Sequence, residues 1–128
     1  MALNLEGEVA LVTGAGRGIG RSICIINISS VVGFKGYPNQ SAYAAAKHGV
    51  MGLTKSLAVE ALEYGIRVSA ILPGGVDTDM VRAARPDFDP SVLLQPEDIA
   101  QTAMCLLSLS ERAAIDQIYI RRRGSQPF

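Results

Sequence analysis

The sequence has little cysteine, no net charge and no long apolar run, and each shortage narrows what the chain can be. Its two cysteines lie in the apolar stretches Ile23-Cys24-Ile25 and Met104-Cys105-Leu106. They read as buried thiols of a reducing compartment, not as a disulfide framework or a metal site. Twelve Lys and Arg against twelve Asp and Glu give a formal net charge of zero. That leaves no electrostatic footprint for nucleic acid or an anionic membrane. No apolar run approaches a membrane span, and no basic region followed by an apolar stretch marks a signal peptide. A cytoplasmic location is the expectation. The one basic run, Arg121-Arg122-Arg123, reads as a solvated strand end.

What is present is a globular composition, 48% hydrophobic and 19% charged over 128 residues, enough for a single domain spanning 1–128. Glu8 to Thr13 reads as a buried strand followed by a glycine-rich turn, Gly14 to Gly20. Ile23 to Ile28 is a second apolar, β-branched run. Ser29 to Gln40, with Gly33, Gly36 and Pro38, is a loop. Ser41 is placed to cap a helix that reaches about Tyr64, with Val50, Leu53, Leu57 and Ala61 on one apolar face and Gly65 at its end. Ile66 to Leu72 is a third strand, closed by Pro73-Gly74-Gly75. A polar stretch runs from Asp77 to Gln95. Pro96-Glu97-Asp98 starts a helix continued by Ile99 to Leu109, and Ile115 to Ile120 is a final strand. Strands alternating with helices, each strand nearly all apolar, predict an α/β, doubly wound, Rossmann-like parallel sheet.

Two constellations carry chemistry. Thr13-Gly14-Ala15-Gly16-Arg17-Gly18-Ile19-Gly20 follows directly on a strand. Glycines there let the backbone turn tightly and approach a pyrophosphate, and a following helix aims its N–H groups at the phosphates. Tyr43 and Lys47 stand at i and i+4 on one helix face, with Ser30 thirteen residues before Tyr43 at the end of the apolar run 25–28. Taken alone, each is weak: a glycine turn is often structural, and a Tyr/Lys pair is usually surface decoration.

The spacings T-G-x-x-x-G-x-G and S-x12-Y-x3-K together resemble the short-chain dehydrogenase/reductase family, classical type. The resemblance implies an oxidoreductase moving a hydride between NAD(P)(H) and a carbonyl or secondary-alcohol substrate. It assigns Gly14, Gly16, Arg17, Gly18, Ile19 and Gly20 to the coenzyme diphosphate and Tyr43 to general acid/base catalysis. A free tyrosine, pKa about 10, transfers a proton poorly near neutrality, and a neighbouring ammonium favours phenolate. Lys47 is implied to supply that ammonium and to hold the nicotinamide ribose, and Ser30, with Ser29 the adjacent alternative, to hydrogen-bond the substrate oxygen. Pro73-Gly74-Gly75-Val76-Asp77-Thr78 fits the family segment in which Pro73, Gly74, Val76 and Thr78 meet the nicotinamide carboxamide. No metal is implied. Arg17 facing a 2′-phosphate would favour NADP over NAD; it reads equally as a solvated turn residue. The implied partners are a small-molecule substrate and, in the full-length family form, further copies in a homodimer or homotetramer. Thr78-Asp79-Met80 is reminiscent of 3-oxoacyl-type reductases.

The resemblance also shows a gap. Residues up to about Ile23 resemble the family's first strand and glycine loop, whereas Cys24 onward resembles its fifth strand and all that follows. At ~30 residues per β-α unit, roughly a hundred residues are absent at the junction near 21–24. They would carry the adenine-ribose acid, the Asn-Asn-Ala-Gly segment, the catalytic asparagine and one interface helix. The sheet is expected to be incomplete, with strands corresponding to 1, 5, 6 and 7. The usual Asp-Gly-Gly after the last strand is replaced by Arg121-Arg122-Arg123. Either the sequence is part of a longer chain, the favoured reading, or the chain is truly shortened, and then a non-catalytic remnant is the alternative function.

Overall fold

A computed structural model describes residues 9–13 and 23–127, and of residues 9–13 and 23 only the backbone. Four strands form one sheet in the order β1 (Val9–Thr13), β2 (Ile23–Ile28), β3 (Arg67–Pro73) and β4 (Gln117–Ile120). Helices α1 (Ser41–Glu60) and α3 (Pro96–Leu107) are the long ones, and α2 (Asp79–Ala84) is short.

The three strands β2, β3 and β4 run parallel, as their apolar runs predict. The alternation of β3 shows why that strand must be apolar throughout. Ala70 and Leu72 pack with Met51 of α1 on one face. Ile71 packs with Cys24, Ile26, Ile99 and Leu106 on the other, under α3. Helices therefore cover both faces, and Val68 to Pro73 is buried without a break. β4 repeats the pattern, with Tyr119 toward α1 and Ile118 and Ile120 toward α3.

The first strand departs from expectation. β1 pairs with β2 antiparallel, Val9 opposite Asn27 and Thr13 opposite Ile23. The physical reason lies in the connection. Only residues 14–22 separate the two strands, and a parallel neighbour needs a crossover of about a dozen residues or more, whereas an antiparallel one does not.

Helix α1 turns inward a face that only partly overlaps the predicted one: Ala61, just past its end, is buried, and Val50 and Leu57 are half-buried. Met51 and Thr54 are its buried residues, and Leu53 is 58% exposed. The helix is apolar on more than one side, so periodicity alone does not choose. The choice is made by Gly33, where an added Cβ would stand 3.0 Å from Met51 Cγ and 3.2 Å from the Lys47 carbonyl. The turn at Val31–Gly33 thus seats itself on the 47–51 row. Ser41 is the first helical residue and Gln40 the N-cap, without a side-chain hydrogen bond. After α1 the chain tightens into a 3-10 turn, Leu62–Tyr64, ended by Gly65 at φ 66° in the left-handed region that glycine tolerates.

Two other readings change. Cys24 is buried as expected, but Cys105 is exposed, because the inward row of α3 is Ile99 and Leu106 and Cys105 lies beside it. The polar stretch after Gly75 contains α2, capped by the Thr78 hydroxyl, and a 3-10 turn at Pro90–Val92, capped by Asp89. Among the described residues, no helix is long and apolar enough to cross a membrane.

Candidate active site

The carboxyl end of β2 is where the implied catalytic residues gather. The Ser29 N–H donates to the Ile71 carbonyl at 2.8 Å, extending the β2–β3 ladder by one residue. Ser29 Oγ then donates to the Lys47 carbonyl at 3.2 Å. The end of the strand is in this way fastened to the Lys47 turn of α1. Ser30 follows in extended conformation and caps the 3-10 turn Val31–Gly33, its Oγ accepting from Val32 N–H at 3.1 Å. Both serines are buried. Gly33 makes this corner possible: a Cβ there would fall 2.6 Å from Ser29 Oγ.

Tyr43 and Lys47 lie one turn apart near the start of α1, and Lys47 Nζ sits 5.7 Å from the Tyr43 ring centroid. Lys47 is half-buried on the inward row, whereas Tyr43 is 37% exposed. The helix therefore presents phenol and ammonium together, beside the corner that holds Ser29 and Ser30.

Deeper on the same helix, Asn27 Nδ2 donates to Thr54 Oγ1 at 2.8 Å, and Thr54 Oγ1 donates to the Val50 carbonyl at 2.7 Å. Asn27 Oδ1 is buried with no partner among the described residues.

The segment after β3 is held by backbone bonds. Gly74 N–H donates to the Ile120 carbonyl at 2.7 Å, Leu94 N–H to the Gly75 carbonyl at 3.0 Å, and Asp77 N–H to the Leu94 carbonyl at 2.7 Å. Val76 bridges to Leu94. Thr78 Oγ1 accepts from Val81 N–H at 3.3 Å. Asp77 forms a two-pronged pair with Arg82, at 2.7 and 2.8 Å. That hydrogen-bonded guanidinium holds the Asp77 carboxyl below the usual carboxylate range. Pro73, Gly74, Val76 and Thr78 thus lie along one anchored edge at the carboxyl end of β3. Gly14, Gly16, Arg17, Gly18, Ile19 and Gly20 lie outside the described residues.

Between these edges is a cavity of about 280 Å³ lined by Val31, Lys35, Gly74, Tyr119, Arg121 and Arg122, among others. It sits at the carboxyl ends of β2, β3 and β4, where open α/β sheets bind ligands. Sequence reasoning passed over Lys35, and it read the arginine run as solvated. Arg121 and Arg122 are in fact half-buried; the signal was the replacement of Asp-Gly-Gly by three arginines. Among the described residues, no group of three or more His, Cys, Asp or Glu is placed to hold a metal.

Known proteins share both the sequence and the fold. The chain is 46% identical over 88 residues to levodione reductase of Leifsonia aquatica, covering 69% of this chain and 31% of that one. It is 43% identical over 96 residues to a 3-oxoacyl-acyl-carrier-protein reductase of Chlamydia trachomatis serovar D, covering 69% and 39% respectively. The chain thus spans well under half the length of these curated relatives. Among solved structures, 4-hydroxyisoleucine dehydrogenase complexed with NADH superposes with a TM-score of 0.65 at 31% identity, over 79% of this chain and 45% of that one. A short chain dehydrogenase family model matches residues 24–89. That match takes in β2, α1, β3 and α2, more than half of the sequence, and the chain belongs to the short chain dehydrogenase family.

Proposed function

We propose that this chain carries the catalytic half of an NAD(P)-dependent oxidoreductase that interconverts a carbonyl and a secondary alcohol. The observation that carries the reading is the Tyr43 and Lys47 pair, Nζ 5.7 Å from the ring centroid, on a helix turn hydrogen-bonded to the Ser29–Ser30 corner. When bound, the nicotinamide coenzyme supplies or accepts the hydride. Everything else falls to side chains of α1 and the β2 corner. In reduction, Tyr43 Oη gives its proton to the substrate oxygen as that oxygen gains charge; in oxidation it takes the proton back. Lys47 stabilises the negative charge left on the phenol oxygen and offers further N–H donors for ribose hydroxyls.

The two serines divide by their bonds. Ser29 spends its O–H on the Lys47 carbonyl. Ser30 Oγ accepts from Val32 and donates to no acceptor among the described residues, which leaves its proton for a substrate oxygen; we therefore assign that role to Ser30. Pro73, Gly74, Val76 and Thr78 flank the nicotinamide end, and residues 14–20 the diphosphate. NADP is favoured over NAD through Arg17. The likeness to a 3-oxoacyl reductase and the Thr78-Asp79-Met80 segment make a 3-oxoacyl compound the first substrate to try. Homo-oligomeric assembly belongs to the full-length form of the same reading.

Tyr43→Phe tests it. NADPH- and NADH-coupled reduction of a ketone panel should be lost while the circular dichroism spectrum is kept. Unchanged turnover in that variant refutes the assignment.

A second reading, a non-catalytic shortened form, rests on the β1 register. Thr13 pairs with Ile23, so the chain that continues from Thr13 starts at the amino end of β2. Ser30 lies beyond the other end, seven residues on and about 23 Å away at ~3.3 Å per residue. On this reading, coenzyme affinity is weak and turnover absent in the unmutated chain as well.

A further inference from the structure

We infer that the crevice lined by Lys35, Arg121 and Arg122 is an oxyanion site that takes a phosphate-bearing group. The resemblance gives the coenzyme diphosphate to residues 14–20, not to these three.

Three cations line one cavity, and no acidic residue lines it with them. Arg121 Nη1 donates to the carbonyls of Arg122, Arg123 and Ser125 at 3.1, 3.3 and 2.6 Å. These bonds curl the chain after β4 and fix the guanidinium, but carbonyl partners are neutral and leave its charge uncompensated. Arg122 lies over the Phe88 ring, 4.9 Å from its centroid, with Arg85 on the same ring at 4.1 Å. A stacked guanidinium keeps its edge N–H groups for a planar, two-pronged acceptor. Lys35 Nζ is held over Phe34 and Tyr119, at 5.7 and 5.9 Å from their centroids, and those rings pack edge to face at 5.2 Å.

The acids nearby are already engaged: Asp77 pairs with Arg82 and Asp87 with Arg85. Among the described residues, none forms an ion pair with Lys35, Arg121 or Arg122. The aromatic props hold the cations in place without neutralising them, and the cavity, about 280 Å³, falls just below the range of small-ligand pockets, roughly 300–1,000 Å³. Arg122 also lines a second cavity with Ser91, Val92, Arg123 and Gly124, so a longer phosphorylated ligand has room to continue past it.

Anion binding needs no turnover, so its failure and that of the hydride-transfer reading are separable. The test is titration of the full chain with inorganic phosphate, followed by backbone amide shifts in nitrogen-15 spectra at constant ionic strength. Saturable shifts confined to Gly74, Gly75 and residues 119–126 are expected, with affinity reduced about tenfold or more in Lys35→Gln and in Arg122→Gln. Arg112→Gln, an exposed arginine elsewhere, should leave affinity unchanged. The same spectra report whether each variant is folded; should Arg122→Gln lose dispersion, Lys35→Gln and Arg122→Lys carry the comparison. A competition arm identifies the source: displacement of phosphate by adenosine 2′,5′-bisphosphate, which carries coenzyme phosphates but no nicotinamide to occupy Gly74, places a coenzyme phosphate here, and independent binding places a substrate phosphate here. Shifts that do not saturate, that spread over all basic residues, or that persist at equal affinity in the variants overturn the inference.

Discussion

At the scale of single residues, space and bonding decide which positions tolerate change. Gly33 and Gly36 are three residues apart in one loop, yet they should answer alanine in opposite ways. A Cβ at Gly33 meets Ser29 Oγ at 2.6 Å and Met51 Cγ at 3.0 Å, whereas at Gly36 it meets nothing within 4 Å. Met51 can give way, but Ser29 Oγ is short and hydrogen-bonded to Lys47. Gly33→Ala is expected to cost about 1–3 kcal/mol, as overpacking does, and Gly36→Ala to stay within about 0.5 kcal/mol. Urea denaturation of the two variants checks this. A Gly33→Ala chain as stable as the parent would mean that the β2 corner does not dock on α1 as described.

The cysteines give a second residue-scale expectation. Burial pushes the Cys24 thiol up, with Arg67 opposing to a lesser degree, while Cys105 is open to solvent. Only thiolate reacts quickly with iodoacetamide. One adduct, on Cys105, should form on the native chain at neutral pH, and a second only after denaturation. Two adducts at equal rates would contradict the burial of β2. The sign of the linkage follows: the folded state holds the Cys24 proton more tightly than the unfolded chain. This group's contribution is therefore complete below the ordinary thiol value of 9.0 and is lost as pH rises through the higher folded value.

At the scale of elements, strands were legible wherever burial on both faces forced a continuous apolar run. β2 falls on 23–28, as read from its β-branched residues, and β3 is displaced by a single residue. α3 was legible from Pro96 at its start, and Asp98 Oδ2 accepts from Gln95 N–H at 2.8 Å, as a first-turn acid should. The inward face of α1 was not legible. Leu53 and Val59 are as apolar as Met51 but remain exposed, and the docking of Gly33 selects the row. α2 was missed because it is only six residues long and lies in a stretch read as a loop, although Thr78 followed by Asp79 is a helix-start signal. Thr78→Ala should cost about 1 kcal/mol of local stability through loss of that cap. Hydrogen exchange at Val81, whose N–H bonds the Thr78 hydroxyl, should speed up while exchange in β3 does not. Equal acceleration in both would mean that the threonine supports the whole fold rather than its own helix.

At the scale of the whole molecule, the family's spacings for Ser30, Tyr43 and Lys47 involve only β2, one loop and α1, elements that the structure fastens together through Ser29 and Lys47. The resemblance misplaced β1, because strand direction depends on what connects the strands. Residues 14–22 are too few for a parallel crossover, and the strand joins the open edge of β2 in the one direction that the connection permits. That arrangement sets the Thr13 end of β1 at the amino end of β2, opposite the end that leads to Ser30, so the direction of β1 bears on function as well as topology. It is testable by a cross-link. Val12 and Cys24 are partners in the antiparallel register, and paired Cα atoms in such ladders stand about 4.5–5.5 Å apart, inside the range that a disulfide spans. In a Cys105→Ser background, Val12→Cys should form a disulfide with Cys24 under mild oxidation. Leu11→Cys should not, because its partner is Ile25 and adjacent residues of a strand project to opposite faces. A parallel β1 brings Val12 nowhere near Cys24, and failure of the Val12→Cys link alongside retained turnover would place the Thr13 end of β1 at the catalytic end of the sheet instead.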